Sequence, residues 1–335
     1  MTQTIQEIAK ALVTKGKGIL AADESNATIT KRFNAINIES TPESRRDYRH
    51  MLFSNQEAIS NYISGVILYD ETIRQTTEDL SPLTKLLTDQ GCFIGIKVDT
   101  GAKDLANFPN ETITEGLDGL RERLNEYYKL GARFAKWRAV IHINTEANLP
   151  SDGSIIQNAN ALARYAALCQ EANIVPIVEP EVMMDGTPAN HNIETCYQVT
   201  KKVLLTVFAA LNIAKVKLDA MILKPNMIID GQNARKATIE QVAEYTIKCL
   251  KETVPPALAG IAFLSGGQTD DEATKHLAAI NNIDQPKPWP LTFSYGRALQ
   301  AAALNTWAGK KENIAKAQAI FTQKAKANSL ATLGK

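Results

Sequence analysis

The chain has 335 residues, with 37 basic side chains against 36 acidic ones and a net charge of +1. That balance excludes a protein built to coat nucleic acid or a membrane surface. Hydrophobic residues make up 44% and charged residues 22%, which sets the chain apart from disordered sequences. It also allows a large core without disulfide or metal staples.

Met1–Thr14 is expected as a helix before the first strand, and Gly18–Asp23 (GILAAD) reads as that strand. Thr41-Pro42-Glu43 reads as a helix start, an N-cap followed by Pro at the first helical position. Gly65–Glu71 (GVILYDE) and Phe93–Asp99 (FIGIKVD) follow as strands. Leu117, Leu120, Leu124 and Tyr127 recur at steps of three and four, the core-facing stripe of a helix. Arg133–Val140 (RFAKWRAV), Ile174–Glu179 (IVPIVE) and Ala220–Lys224 (AMILK) are the next strands. Thr238 with Gln241 and Thr269 with Glu272 form capping-box pairs. Ile261–Ser265 (IAFLS) and Leu291–Tyr295 (LTFSY) complete a set of eight strands, and Lys311–Leu333, rich in Ala and Lys, reads as a closing helix. Pro109, Pro150, Pro188 and the cluster Pro286–Pro290 mark loops.

Short β-rich runs alternating with helical ones define an α/β protein with a parallel sheet. The polar ends of the runs recur at a mean step of about 39 residues, somewhat longer than the minimal unit of an eight-fold barrel of about 250 residues. The expected fold is a TIM (β/α)8 barrel with an extra N-terminal helix and a C-terminal helical segment. No linker or composition shift divides the chain, so residues 1–335 are expected as one domain.

Cys92, Cys169, Cys196 and Cys249 are widely spaced in apolar or helical runs and read as reduced thiols near the core. The start of the chain carries no apolar stretch of signal-peptide length, and no window holds 18 consecutive apolar residues. A cytoplasmic location is the expectation. His50, His142, His191 and His276 are isolated, and no Gly-rich dinucleotide fingerprint follows a strand. A mechanism without metal or cofactor is favoured.

Chemistry in a strand–helix barrel gathers where strands finish. At those ends stand Asp23, Lys97, Asp99, Lys136, Arg138, Glu179, Glu181, Lys224, Ser265, Ser294 and Arg297. Each alone reads equally as a cap, a salt-bridge partner or a solvated loop residue, but nearly every strand carries a charge at the same end. Lys136 and Lys224 lie in apolar contexts, where burial and a second nearby cation lower a lysine's pKa and favour the neutral amine that attacks carbonyls. A lysine extending out of the barrel is the alternative. Glu179-Pro180-Glu181 would point two carboxylates the same way, as an acid–base group beside a lysine or as partners of local cations. Ser265-Gly266-Gly267 and Ser294-Tyr295-Gly296-Arg297 end the last two strands, the habitual phosphate site of such barrels. Leu-Ser-Gly-Gly-Gln is also a signature of transporter-type ATPases, but no Gly-Lys pair here is followed by Ser or Thr, which discards that reading.

The strings GKGILAADES (16–25), GIKVDTG (95–101), FAKWRAV (134–140), VPIVEPE (175–181), LKPNM (223–227), FLSGGQ (263–268) and FSYGRA (293–298) together resemble class I fructose-bisphosphate aldolases. These are the metal-free, Schiff-base-forming type, and the likeness covers nearly the whole chain. The resemblance implies reversible cleavage of fructose 1,6-bisphosphate to dihydroxyacetone phosphate and glyceraldehyde 3-phosphate. It implies Lys224 as the Schiff-base lysine and Glu179 as the proton shuttle, with Glu181 beside it. It implies Lys136 and Arg138 as the positive field and Asp23 as the carboxylate at the C3 and C4 hydroxyls. Ser265, Gly266, Gly267, Ser294, Gly296 and Arg297 match the ligands of one phosphate; Ser25, Thr28, Arg32 and Lys97 lie around the other. Thr28 replaces the Ser of many animal members and keeps the hydroxyl. Longer members continue into a tail ending in Tyr, whereas this sequence ends at Leu333-Gly334-Lys335. Enamine protonation is therefore expected to be slower relative to cleavage than in tailed members.

The partner is expected to be a phosphorylated sugar, with no nucleic acid or membrane, and a homotetramer follows from the resemblance alone. Another Schiff-base phosphosugar aldolase or a transaldolase is a competing reading, against which two phosphate clusters argue. A non-catalytic phosphosugar-binding scaffold is a second, against which the presence of Lys224 and Glu179 argues.

Overall fold

A computed structural model describes residues 3–186 and 188–335. Eight parallel strands close into a barrel: β1 (Gly18–Ala22), β2 (Ile63–Leu68), β3 (Phe93–Lys97), β4 (Ala132–Ile141), β5 (Val175–Val182), β6 (Ile222–Leu223), β7 (Gly260–Phe263) and β8 (Leu291–Tyr295). Neighbours in sequence are neighbours in the barrel, and β8 pairs with β1 to close it. Helices follow the strands on the outside, so the strands are buried on both faces and read as continuous apolar runs.

Alternation along each strand sorts two cores. Ile19, Ala21, Ile67, Phe134, Val175, Ile177, Ile222 and Ala262 form the inner cluster, while the other strand face packs against the helices. The inner cluster is completed by the first helix, Ile5–Leu12, whose Ile8, Ala9 and Leu12, with Val13, plug the bottom of the barrel. This is the expected N-terminal helix, started by a Thr4–Glu7 capping box; Met1 and Thr2 of the expected span lie outside the described residues. Two glycines make room for the plug. A Cβ on Gly65 would come 2.7 Å from Leu12, and one on Gly260 2.7 Å from Val13.

Gly95 sits in the same layer, where a Cβ would overlap the buried Phe134 ring. Overpacking of this kind typically costs about 1–3 kcal/mol. Gly95→Ala is therefore expected to lower the urea midpoint, with part of the loss recovered in the Gly95→Ala/Phe134→Leu pair. An unchanged midpoint would show that the layer is looser than described.

The capping boxes at Thr238 and Thr269 and the Thr41-Pro42 helix start form as the sequence predicts. Other expectations need correction. β2 stops at Leu68, because Tyr69 caps a short helix over Asp70–Arg74; Glu71 lies on that helix and pairs with Arg45 at 2.6 Å, away from the barrel interior. Leu117 precedes the helix Leu120–Lys129 rather than starting it, yet still packs on the core. β5 runs on to Val182 and carries Glu179 and Glu181 within it. The closing segment is a single turn at Lys311–Asn313 followed by the helix Ile314–Ala331. A small antiparallel hairpin, Ala102–Asp104 with Thr112–Thr114, follows β3 and had no sequence signal.

Candidate active site

The inward positions that are apolar at the bottom of the barrel become charged at the top. Inward Phe134 is followed by Lys136 and Arg138 on β4, and inward Val175 and Ile177 by Glu179 and Glu181 on β5. Ile222 on β6 is followed two residues later by Lys224. Strand register sets these side chains level: Lys97 opposes Lys136, Arg138 opposes Glu179 and Val140 opposes Glu181. They open into a cavity of about 610 Å³ lined by seven cationic side chains and five carboxylates. An excess of two positive charges suits a dianionic or doubly phosphorylated ligand.

Two lysines meet at its floor. Lys224 Nζ lies 3.1 Å from Glu179 Oε1, and Lys136 Nζ lies 2.8 Å from Asp23 Oδ2, 3.5 Å from Glu179 Oε2 and 3.9 Å from Asp99 Oδ2. Lys224, Lys136 and Glu179 are 4%, 4% and 3% exposed, so each charge depends on its partners rather than on water. The backbone N–H of Lys224 donates to Val178 O at 2.8 Å, and Asn226 Oδ1 accepts the Val182 N–H at 3.1 Å, which ties the end of β6 to β5. The carboxylate oxygen Glu179 Oε2 is buried without a hydrogen-bond donor among the described residues. A buried acceptor in that state is open to a hydrogen bond from a ligand.

Lys136 corrects one expectation. Burial alone would lower its pKa, as its apolar neighbours in sequence suggest. The carboxylates of Asp23, Glu179 and Asp99 outweigh burial and hold the pKa above the ordinary lysine value. Lys136 is thus a fixed cation. Asp23 mirrors it: burial pushes its pKa up, but Lys136, Lys224 and Lys97 pull it below the usual carboxylate range.

Glu181 forms an ion pair with Arg138, whose guanidinium also reaches Met183. Lys97 Nζ lies 2.6 Å from Asp99 Oδ1, and Asp99 Oδ1 also accepts the Gly101 N–H at 3.1 Å. On the wall formed by the ends of β7 and β8 stand Ser265, Gly266, Ser294, Gly296 and Arg297. Ser294 Oγ is buried without a partner among the described residues, a free donor at the cavity. Gly266 is required by close approach, since a Cβ there would come 2.5 Å from Glu181 Oε1. Gly296 caps the helix Arg297–Trp307, whose N-terminus faces the same wall and favours an anion. Arg297 is largely exposed and rests 3.2 Å from Asp185. Gly267 departs from expectation. It adopts the left-handed conformation, φ +72°, turned against Met184, and lines a smaller neighbouring cavity instead.

Beyond β1, Ser25 caps the helix Asn26–Asn34 by accepting the Thr28 N–H at 3.3 Å, and its Oγ lies 3.1 Å from Thr28 Oγ1. Thr28, Lys31 and Arg32 follow along that helix into the cavity. Sequence reasoning missed Glu24, a buried carboxylate that pairs with Arg32 and, at 2.7 Å, with Arg49. Glu24 stands inside the string GKGILAADES, but nothing along the chain points to its partner 25 residues on.

A desolvated lysine held against a carboxylate in a barrel whose rim offers two anion-binding walls is the arrangement of a Schiff-base-forming enzyme that acts on phosphorylated substrates. The chain matches the family model described as "Glycolytic: Fructose-bisphosphate aldolase class-I" over residues 4–335. It is 55% identical to a probable fructose-bisphosphate aldolase class 1 of Xanthomonas campestris, over 99% of this chain and 98% of that one. It is 54% identical to the cytosolic fructose-bisphosphate aldolase 5 of Arabidopsis thaliana, over 98% and 90%. A solved fructose-bisphosphate aldolase from Plasmodium falciparum, in complex with TRAP and a small-molecule inhibitor, superposes with a TM-score of 0.95 at 51% identity, over 99% and 94%. The chain belongs to the class I fructose-bisphosphate aldolase family and is an aldehyde-lyase.

Proposed function

We propose that the cavity carries out the family's reaction, the reversible cleavage of fructose 1,6-bisphosphate in glycolysis, with Lys224 as the nucleophile. The observation that carries the assignment is the Lys224 amine 3.1 Å from the buried Glu179 carboxylate, beside the fixed Lys136 cation. Lys224 Nζ attacks C2 of the open-chain ketose. Glu179 returns the proton that lets the carbinolamine lose water, leaving a protonated imine. Asp23 removes the C4 hydroxyl proton. The C3–C4 bond breaks, C4 becomes the aldehyde carbon of glyceraldehyde 3-phosphate, and the bond's electron pair forms an enamine on C2 and C3. Protonation at C3 and hydrolysis of the imine release dihydroxyacetone phosphate.

Ser265, Gly266, Ser294, Gly296 and Arg297 take the phosphate of the dihydroxyacetone half. Ser25, Thr28, Arg32 and Lys97 take the other. Fixing both ends brings C2 against the lysine. Glu181 and Arg138 neutralise each other beside Glu179. The reading extends to one domain over residues 1–335, supported by a shared core that includes the closing helix. It extends to a homo-oligomer, four chains by resemblance, supported by exposed Leu205 and Ile213 on one helix. Cytoplasmic action is part of the same reading. Relatives from A. thaliana and spinach are designated cytosolic and cytoplasmic, and no helix among the described residues is long and apolar enough to cross a membrane.

Borohydride trapping tests the assignment. With dihydroxyacetone phosphate and a chelator, reduction of the imine should leave a stable adduct that peptide mass spectrometry locates on Lys224. An adduct on Lys136 would exchange the roles of the two lysines. No adduct, with the phosphosugar shown to bind, would overturn the Schiff base at this site.

A further inference from the structure

Arg32 reaches the cavity from the helix Asn26–Asn34, but its guanidinium is already paired with Glu24. A neutral pair attracts a phosphate dianion poorly. The same Glu24 carboxylate also accepts Arg49 Nη2 at 2.7 Å, from the helix Pro42–Phe53. Arg49 is 3% exposed and does not line the cavity, and its Nη1 is buried without a partner among the described residues. Burying a guanidinium this deeply is costly unless its charge is used. The arginine is held from behind: its guanidinium carbon sits 5.3 Å over the Tyr48 ring, Tyr48 donates to Gln300 at 3.0 Å, and Gln300 donates to Ala21 O at 2.7 Å, two residues before Asp23.

We propose that Arg49 is a positioning residue that neutralises Glu24 from behind, so that Glu24 fixes the direction of Arg32 while Arg32 keeps its charge for the distal phosphate of the substrate. Two guanidiniums share one carboxylate, and the group presents one net positive charge at the cavity wall. The inference rests on the proposed placement of Arg32 at that phosphate. It differs from a packing role in one consequence: Arg49 affects only substrates that carry the distal phosphate.

The test compares fructose 1,6-bisphosphate with fructose 1-phosphate, which lacks that phosphate. In Arg49→Met the KM for the bisphosphate should rise about tenfold or more, as expected when one member of a buried charge cluster is removed. Its kcat, and kcat/KM for fructose 1-phosphate, should change less than twofold. Adding Glu24→Gln to Arg49→Met removes the carboxylate that captures Arg32 and should restore the bisphosphate KM to within about threefold of the parent. A purely structural role predicts equal losses on both substrates and no rescue; either result overturns the inference. Where Arg49→Met does not fold, Arg49→Lys decides. It keeps the charge and should hold kcat/KM for each substrate within about threefold of the parent, whereas equal losses of about tenfold or more on both substrates reject the proposal. Arg32→Ala separates the premise from the inference. Failure of that variant to penalise the bisphosphate more than the monophosphate removes Arg32 from the phosphate site. A selective Arg32→Ala beside an unselective Arg49→Met rejects the role of Arg49 alone.

Discussion

Replacement of Lys224 by Met is expected to reduce cleavage of fructose 1,6-bisphosphate by at least about 10⁴-fold, the scale of losing a group that acts covalently. Without the amine there is no imine, and without the imine the electron pair of the C3–C4 bond has no acceptor. The rest of the site offers no substitute for that electron sink, since Lys136 is held as a cation by three carboxylates. Met fills nearly the same buried volume, and Glu179 keeps Lys136 as a partner at 3.5 Å. The far-ultraviolet circular dichroism spectrum and the dissociation constant for the bisphosphate should stay within a few-fold of the parent, because both phosphate walls are untouched. Retention of even one per cent of the parental kcat, or a borohydride adduct elsewhere in the variant, would remove Lys224 from the central role.

The barrel was legible because fully buried parallel strands appear as short apolar runs at regular spacing. The same property hid where strands end. In GVILYDE the apolar run continues through Tyr69, and only the structure shows that Tyr69 opens a helix and turns Glu71 outward to Arg45. The active-site residues were legible singly, since charges at strand ends break apolar runs. Their electrostatics were not. The neighbours of Lys136 along β4 are Ala135 and Trp137, which suggest a lowered pKa; those at other strand ends, Asp99 and Glu179 from the two strands flanking β4 and Asp23 just past β1, reverse it. Gly266 and Gly267 look alike in sequence, but backbone direction puts one at the cavity and turns the other against Met184. Glu24, in the loop after β1, and Arg49 meet only because the helix Pro42–Phe53 folds over the same rim. Position along the chain thus reports which residue types reach the rim, while their charge states and pairings depend on contacts between strands.

Lys136 gathers three of those pairings, with Asp23, Asp99 and Glu179. Its raised pKa means that the charged form is more stable folded than unfolded. That contribution is fully present below the ordinary lysine value and is lost only as the pH rises through the higher folded value. The lowered pKa of Asp23 gives the opposite edge: its contribution is present above the usual carboxylate range and is lost as the pH falls through the folded value. Between these edges Lys136 holds the buried Asp23 ionised at the floor of the cavity. Lys136→Met leaves Asp23 buried without its nearest cation and Glu179 with Lys224 as its remaining partner, and unfolding at pH 8 should become easier by about 3–5 kcal/mol. The uncompensated carboxylates then gain protons more readily in the folded state, and each tenfold gain in proton affinity is worth about 1.4 kcal/mol. The stability gap between parent and variant should therefore narrow by about 1 kcal/mol or more between pH 8 and pH 5, in urea titrations at each pH. The kcat at pH 8 should fall at least about 10²-fold, as for other preorganised charges at a reacting centre. A gap that stays constant with pH would mean that Lys224 and Lys97 alone keep the carboxylates ionised, and Lys136 would then be a packing residue with a charge rather than the counter-ion of the site.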